Sequence, residues 1–197
     1  MSEEAPKPSL APRSPLLMNA DDTALLVIDV QEKLLPHIRG HERIVFNLTR
    51  LIRGASALGV RTEVTEQYPK GLGYTVAAVG ELTGSPAPEK LMFSCRECGA
   101  LMESLRESGC HRVLLAGIET HVCVAQTAFD FIAAGFDCYL CLDAIGSRFE
   151  IDHETAIRRM ELAGVTPTTT EAALFEWCET AGTPEFKTIS KLAQETM

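Results

Sequence analysis

The sequence predicts an α/β fold: a parallel sheet of about six strands, covered by helices on both faces. Strand-like and helix-like segments alternate along the chain, the signature of βαβ units. Two segments, Thr23 to Ile28 (TALLVI) and Arg112 to Ile118 (RVLLAGI), are continuous apolar runs of the kind buried on both faces of a parallel sheet. Glycines stand where the helical patterns stop, at Gly59, Gly109, Gly135 and Gly164.

The elements follow in order. Thr23 to Ile28 ends in Asp29 and is the first strand. Glu42 to Leu58 has apolar residues at Ile44, Val45, Leu48, Leu51, Ile52 and Ala55, a helical spacing that stops at Gly59. Val60 to Thr65 is the second strand. Glu66 to Glu89, rich in Gly and Pro, reads as a long loop with a short helix near Val76. Lys90 to Phe93 is a short strand, and Glu97 to Ser108 a helix. Arg112 to Ile118 is followed by a helix from His121 to Ala134, with Thr120 as a candidate N-cap. Phe136 to Leu142 is a strand and His153 to Ala163 a helix. Val165 to Thr168 completes the sheet, and Glu171 to Ala181 and Glu185 to Glu195 are the last helices.

Length and composition bound the function. A chain of 197 residues and 21.5 kDa buries about 70% of its surface on folding, enough for one core. Apolar residues at 46% and charged residues at 23% exclude a disordered or fibrous chain. No apolar run reaches the ~18 residues of a membrane span. Met1 to Pro15 holds four of the ten prolines and no apolar leader core. Residues 1–17 are therefore expected to be a flexible arm, 18–197 a single domain, and the location cytoplasmic. A net charge of -9 opposes binding to nucleic acid or anionic membranes.

Seven cysteines without a secretory leader read as thiols. Cys95-x-x-Cys98 lacks the strand context of a thioredoxin-like redox pair. Cys138 and Cys141 lie within a strand, and their offset of three places them on opposite faces, unlike the paired thiolates of a zinc knuckle.

Parallel sheets bind ligands at the carboxyl ends of their strands, where the strand order switches. That rule selects Asp29, the segment after Val64 and the segment after Ile118. No G-x-G-x-x-G or G-x-x-x-x-G-K-[ST] is present, which removes the usual dinucleotide and nucleotide sites. Cys123 lies in the first turn of the helix after a buried strand. A free thiol is about 3% thiolate at pH 7, so Cys123 needs a cation or a base beside it to act as a nucleophile. Asp29 ends a buried strand, where an unpaired carboxylate is costly. Lys90 precedes an apolar Leu-Met-Phe.

Asp29-x-Gln31, Lys90-Leu-Met-Phe-Ser94, Gly117-Ile-Glu-Thr-His-Val-Cys-Val-Ala-Gln-Thr-Ala128 and Gly135-Phe-Asp…Asp143-Ala-Ile-Gly-Ser147 together resemble the isochorismatase-like cysteine hydrolases. The resemblance runs from about Ala24 to Ala173. Glu66-Gln-Tyr-Pro-Lys-Gly-Leu-Gly73 is similar to the isochorismatase domain-containing branch. The resemblance implies a Rossmann-like three-layer α-β-α sandwich and a triad: Cys123 as nucleophile, Asp29 as general base and Lys90 as electrostatic partner. It also implies a thioester intermediate, an oxyanion site from the backbone N–H groups of Glu119 and Cys123, and a homo-oligomer. Relatives hold a cis peptide ahead of the nucleophile, which falls here at Ile118–Glu119. Gln31, Gln67, Tyr68, Phe93 and Phe149 are candidates for substrate contact, with Tyr74 beside them.

The nicotinamidases of that family carry an Asp-x-His metal motif where this chain has Glu66-Gln67-Tyr68, a poor ligand set. No metal and no cofactor is therefore expected. The expected activity is hydrolysis of a C–N bond in a small amide or imide-like substrate. Isochorismatase-type vinyl-ether hydrolysis and a non-catalytic, scaffolding role are the alternatives. His121, two residues before Cys123, is expected to point away from it; the other histidines show no ligand spacing.

Overall fold

The computed structural model describes residues 11–84 and 86–197. Six parallel strands form one sheet in the order β3-β2-β1-β4-β5-β6. They are β1 (Thr23–Ile28), β2 (Arg61–Gln67), β3 (Glu89–Lys90), β4 (Arg112–Ile118), β5 (Asp137–Gly146) and β6 (Thr166–Thr168). The helices are α1 (His41–Leu58), α2 (Pro69–Leu72), α3 (Ala77–Thr83), α4 (Gly99–Glu107), α5 (Ala125–Ala133), α6 (Glu150–Leu162), α7 (Thr170–Cys178) and α8 (Phe186–Gln194). The chain runs outward from β1 to β3, returns to β4 beside β1, and runs outward again to β6. The strand order therefore switches between β1 and β4, the place where such sheets take ligands.

Alternation along β1 explains the three layers. Leu25 and Val27 pack with α1, α3, α7 and α8, while Ala24, Leu26 and Ile28 pack with α4, α5 and α6. Every residue of β1 is therefore buried. Each large one contributes about 1.5–3 kcal/mol by leaving water. Cys138 faces the second core and Cys141 the first, as their odd offset requires. All seven cysteines are free and buried.

β1 and β4 approach closely at their ends. A Cβ at Gly117, whose φ is +112°, would lie 2.2 Å from the Ile28 carbonyl oxygen. Only glycine fits there, and the close approach brings the residues after each strand together.

Several boundaries differ from the sequence expectation. The strand expected over Lys90–Phe93 stops at Lys90, because the N–H groups of Leu91 and Met92 donate to the Glu97 carboxylate instead of a ladder, both at 2.6 Å. Helix α4 begins at Gly99, after a 3₁₀ turn over Cys95–Glu97. β5 continues past Leu142 to Gly146 through a register shift against β4. There Asp143 leaves the ladder and accepts from the Thr170 N–H and hydroxyl at 2.8 and 2.9 Å. Helix α6 begins three residues before His153, at Glu150.

Of the arm expected over residues 1–17, residues 1–10 lie outside the described residues. Arg13 donates to the carbonyls of Met18 and Glu176 at 2.8 and 2.6 Å. Arg112 donates to Pro15 O and the Tyr139 hydroxyl to Leu16 O.

Candidate functional site

Asp29, Lys90 and Cys123 come from three different strand ends and meet at the switch point. Asp29 has φ of +53°, a left-handed turn that aspartate tolerates better than most residues. Its N–H donates to Thr65 O and its carbonyl accepts from Gln31 N–H, which ends β1 and turns the side chain inward. The carboxylate is fully buried. One oxygen accepts from the Thr65 hydroxyl at 2.9 Å, the other from Lys90 Nζ at 2.6 Å.

Lys90 is only 2% exposed. Its ammonium also donates to Gln67 Oε1 at 2.8 Å and to Phe93 O at 2.9 Å. These two acceptors and Asp29 match its three N–H donors. Burial works against its charge, but Asp29, Cys123 and Cys95 outweigh burial and hold Lys90 above its ordinary value.

Cys123 is 5% exposed. It lies in a π-helical turn, Thr120–Val124, that leads into α5, replacing the regular helix start expected at His121. The Glu119 carbonyl accepts from the N–H groups of Val122 and Val124. Burial and then the Asp29 carboxylate push the thiol well above its ordinary range, and Lys90 pulls it down only in part. Cys123 thus holds its proton more firmly than a free cysteine, with the Asp29 carboxylate close by. A base beside the thiol, rather than a standing thiolate, is the activation this geometry offers.

Thr120 does not cap the helix through its side chain; its hydroxyl lies 3.0 Å from His153 Nδ1. His121 Nδ1 lies 3.0 Å from Ser147 Oγ. The Glu119 carboxylate accepts from the Arg148 N–H and Nε at 3.1 Å. The Ile118–Glu119 peptide is cis, as the resemblance implied.

The remaining candidates fall into two sets. Gln31 and Gln67 are buried and engaged with each other: Gln31 Oε1 accepts from Gln67 N–H at 2.8 Å, and Gln31 Nε2 donates to Gln67 O and Gly73 O. Tyr68, Phe93 and Phe149 have side chains toward solvent, at 50%, 53% and 63% exposure, and Tyr74 is exposed as well. Leu91 and Tyr68 line a cavity of about 330 Å3 beside Lys90, and Met92 and Ser94 another of about 270 Å3 against α5.

The carboxylate of Glu66 accepts from the Thr75 N–H and hydroxyl at 2.6 and 2.8 Å. Among the described residues no group of three His, Cys, Asp or Glu side chains is placed to hold a metal ion, and no helix is long and apolar enough to cross a membrane.

Two residues at the centre escaped the sequence analysis, Thr65 and Cys95. The Cys95 thiol lies 3.6 Å from the Thr65 hydroxyl, and its N–H donates to Thr127 Oγ1 at 3.0 Å. Burial, then Asp29, push it up to about 12. Thr65 lies two residues before Gln67 on β2, hence on the same face, but the sequence ended that strand at Thr65 and hid the relation.

Comparison with known proteins bears on this arrangement. The isochorismatase domain family matches residues 23–172. Isochorismatase domain-containing protein 2 of Danio rerio is 36% identical over 176 residues, covering 89% of this chain and 88% of that protein. The solved structure of the MAR1 ribonuclease of Caenorhabditis elegans is 37% identical, with a TM-score of 0.85 over 91% of this chain and 93% of that one. The YcaC gene product of Escherichia coli, described as an octameric hydrolase of unknown specificity, shares the fold at a TM-score of 0.83 and 23% identity over 93% of each chain.

Proposed function

The chain belongs to the isochorismatase family, and from that premise we propose that it is a cysteine hydrolase of small amides or imides, acting through Cys123, Asp29 and Lys90. One observation carries the reading: a carboxylate and an ammonium, fully buried and 2.6 Å apart, stand against a buried thiol at the sheet's switch point. Burying that ion pair is expensive, and a folded chain gains little stability from it over an apolar pair. Its use is chemical.

Asp29 takes the proton from the Cys123 sulfur as the sulfur attacks the substrate carbonyl. The backbone N–H groups of Glu119 and Cys123 hold the oxyanion. The C–N bond breaks as Asp29 returns the proton to the departing nitrogen, leaving an acyl thioester on Cys123. Asp29 then draws a proton from water, whose oxygen attacks the thioester. The carboxylic acid departs and the thiol is restored. Lys90 holds Asp29 in place throughout and favours its anionic form between the proton transfers.

Lys90 also bears on substrate class. With its N–H donors engaged by Asp29, Gln67 and Phe93 O, it has none left for a substrate carboxylate, which favours a neutral amide over the dicarboxylate vinyl ether isochorismate. The net charge of -9 disfavours a polyanion such as RNA. The exposed Tyr68 and Phe93 are apolar contacts for the substrate or for a second copy of the chain, and the octameric YcaC neighbour supports a homo-oligomer. The test is turnover of a panel of small amides and imides, read as ammonia release from primary amides and as ring opening of imides, with Cys123→Ala as the control. Turnover that the control lacks is the expected result; release unaffected by the substitution contradicts the proposal.

A further inference from the structure

The residue that shapes the triad's cation is Gln67, and its geometry is fixed from every side. Gln67 and Lys90 are register partners across the parallel β2–β3 ladder, so their side chains lie side by side on one face of the sheet. The Gln67 backbone is locked by Gln31, which accepts from its N–H and donates to its carbonyl. Its Nε2 donates to Leu91 O at 2.8 Å. With the nitrogen engaged there, Oε1 must face Lys90 Nζ, at 2.8 Å. Two residues back on the same strand face, the Thr65 hydroxyl donates to Asp29. β2 thus offers a donor to the anion and an acceptor to the cation. That polarity stabilises the charged form of the pair over the neutral form reached by proton transfer from Lys90 to Asp29.

Resting on the hydrolase reading above, we propose that Gln67 is a positioning residue: its amide oxygen keeps Lys90 an ammonium aimed at Asp29, and its amide nitrogen holds the Leu91–Phe93 loop over that ammonium. The hydrogen bonds of Gln67 go to Gln31, Leu91 and Lys90, and it acts on the chemistry through Lys90. The role also accounts for Gln67 standing within the Glu66-Gln67-Tyr68 stretch. The place where related enzymes have a metal-binding motif here serves a clamp on the catalytic lysine. A carboxylate at position 67 would offer Lys90 a second anion and let it swing away from Asp29; an amide holds the ammonium without competing for it.

The ionisable groups facing Lys90 are Asp29 after β1, Cys95 and Cys98 around the 3₁₀ turn, and Cys123 in the π turn. None of them is altered by changing Gln67, so the Lys90 titration isolates the effect. The readout is the 15N signal of the Lys90 ammonium, followed from pH 7 to 12 in the full chain with its wild-type cysteines. In the wild-type protein the signal persists above the ordinary lysine midpoint. Gln67→Met removes the acceptor at similar volume, and the midpoint should fall by about one to two pH units. Gln67→Glu should leave the midpoint as high or higher, because the acceptor is retained. A Gln67→Met midpoint within about 0.3 units of wild type overturns the proposal.

If the Met variant does not fold, the unmutated protein decides. A scalar coupling across the hydrogen bond from Lys90 15Nζ to Gln67 13Cδ is expected, and its absence overturns the proposal. The hydrolase reading fails separately: amide turnover unaffected by Cys123→Ala removes the nucleophile but leaves the Lys90 titration as it is. A normal nucleophile with an unmoved Lys90 midpoint removes only the role of Gln67.

Discussion

Cys123 and Cys138 are both buried thiols on or beside the sheet, 5% and 2% exposed, and burial pushes both up, Cys138 to about 12. Their surroundings differ. Cys138 packs in the α4–α5–α6 core, with weak contacts to the carbonyls of Ala128 and Phe136 at 3.8 and 3.9 Å. Cys123 faces a carboxylate that is itself held by an ammonium and a hydroxyl. Burial and a high proton affinity do not distinguish the two; the carboxylate beside Cys123 does. The proposed chemistry is concentrated where the ends of β1 and β4 come together, and on the neighbouring strand β5 the same side chain is filler.

The contrast is broken most severely by truncation. Cys123→Ala should lower kcat/KM for any amide substrate by at least about a thousandfold. Cys138→Ala should change it less than about threefold and lower stability by about 1 kcal/mol. Comparable losses in the two variants, measured on folded protein, would erase the distinction.

Ion pairs sharpen it next. Lys90→Met leaves Asp29 buried and unpaired, a cost of about 3–5 kcal/mol, or a Tm lowered by about 6–20 °C for a chain of this size. Arg39→Ala breaks a pair with Glu150 of similar length, 2.7 Å, between two exposed side chains, and should cost less than about 1 kcal/mol. Calorimetry of the two variants tests the ordering.

A smaller effect concerns acid. Burial, then Arg43, lower the His153 pKa in the folded chain. The unfolded chain therefore binds the proton more readily, so this contribution to stability is present at neutral pH. It declines as pH falls through the ordinary histidine range, and levels off below the folded value. His153→Gln should flatten that part of the stability–pH curve; an unchanged slope assigns the dependence elsewhere. The smallest change is expected from metal removal. With Glu66 engaged by Thr75, dialysis against a chelator should leave turnover intact, and activity lost and then restored by zinc would contradict a metal-free site.

Much of this was legible in the sequence because burial writes a strong pattern. TALLVI and RVLLAGI read as central strands since both faces needed apolar residues, and the offset of Cys138 and Cys141 gave their opposite faces directly. Asp29 was named from a strand's end, Cys123 from the first turn of a helix and Lys90 from the start of a short strand, all three with the motif resemblance, and the structure brings them together. Side-chain partnering left no periodic trace. Nothing local in Lys90-Leu-Met-Phe shows that Glu97 would take the N–H groups of Leu91 and Met92 and end the strand. Asp143 looked like a strand's end, yet its partner Thr170 lies far along the chain. Gln31 and Gln67 were candidates for substrate contact; their amides pair with main-chain groups and with Lys90, a long-range exchange that spacing alone does not encode.

In the proposed mechanism Asp29 is the base for a thiol whose proton affinity it raises. Alkylation depends on the thiolate fraction, whereas hydrolysis needs the base. The most direct test is Asp29→Asn, with Cys123 alkylation by limiting iodoacetamide mapped from pH 5.5 to 9 and amide turnover measured on the same protein. Removing the carboxylate should lower the thiol's midpoint, so alkylation at pH 7.5 rises while hydrolysis is lost. Alkylation and hydrolysis falling together, or labelling that goes first to Cys95 or Cys98, would contradict the account.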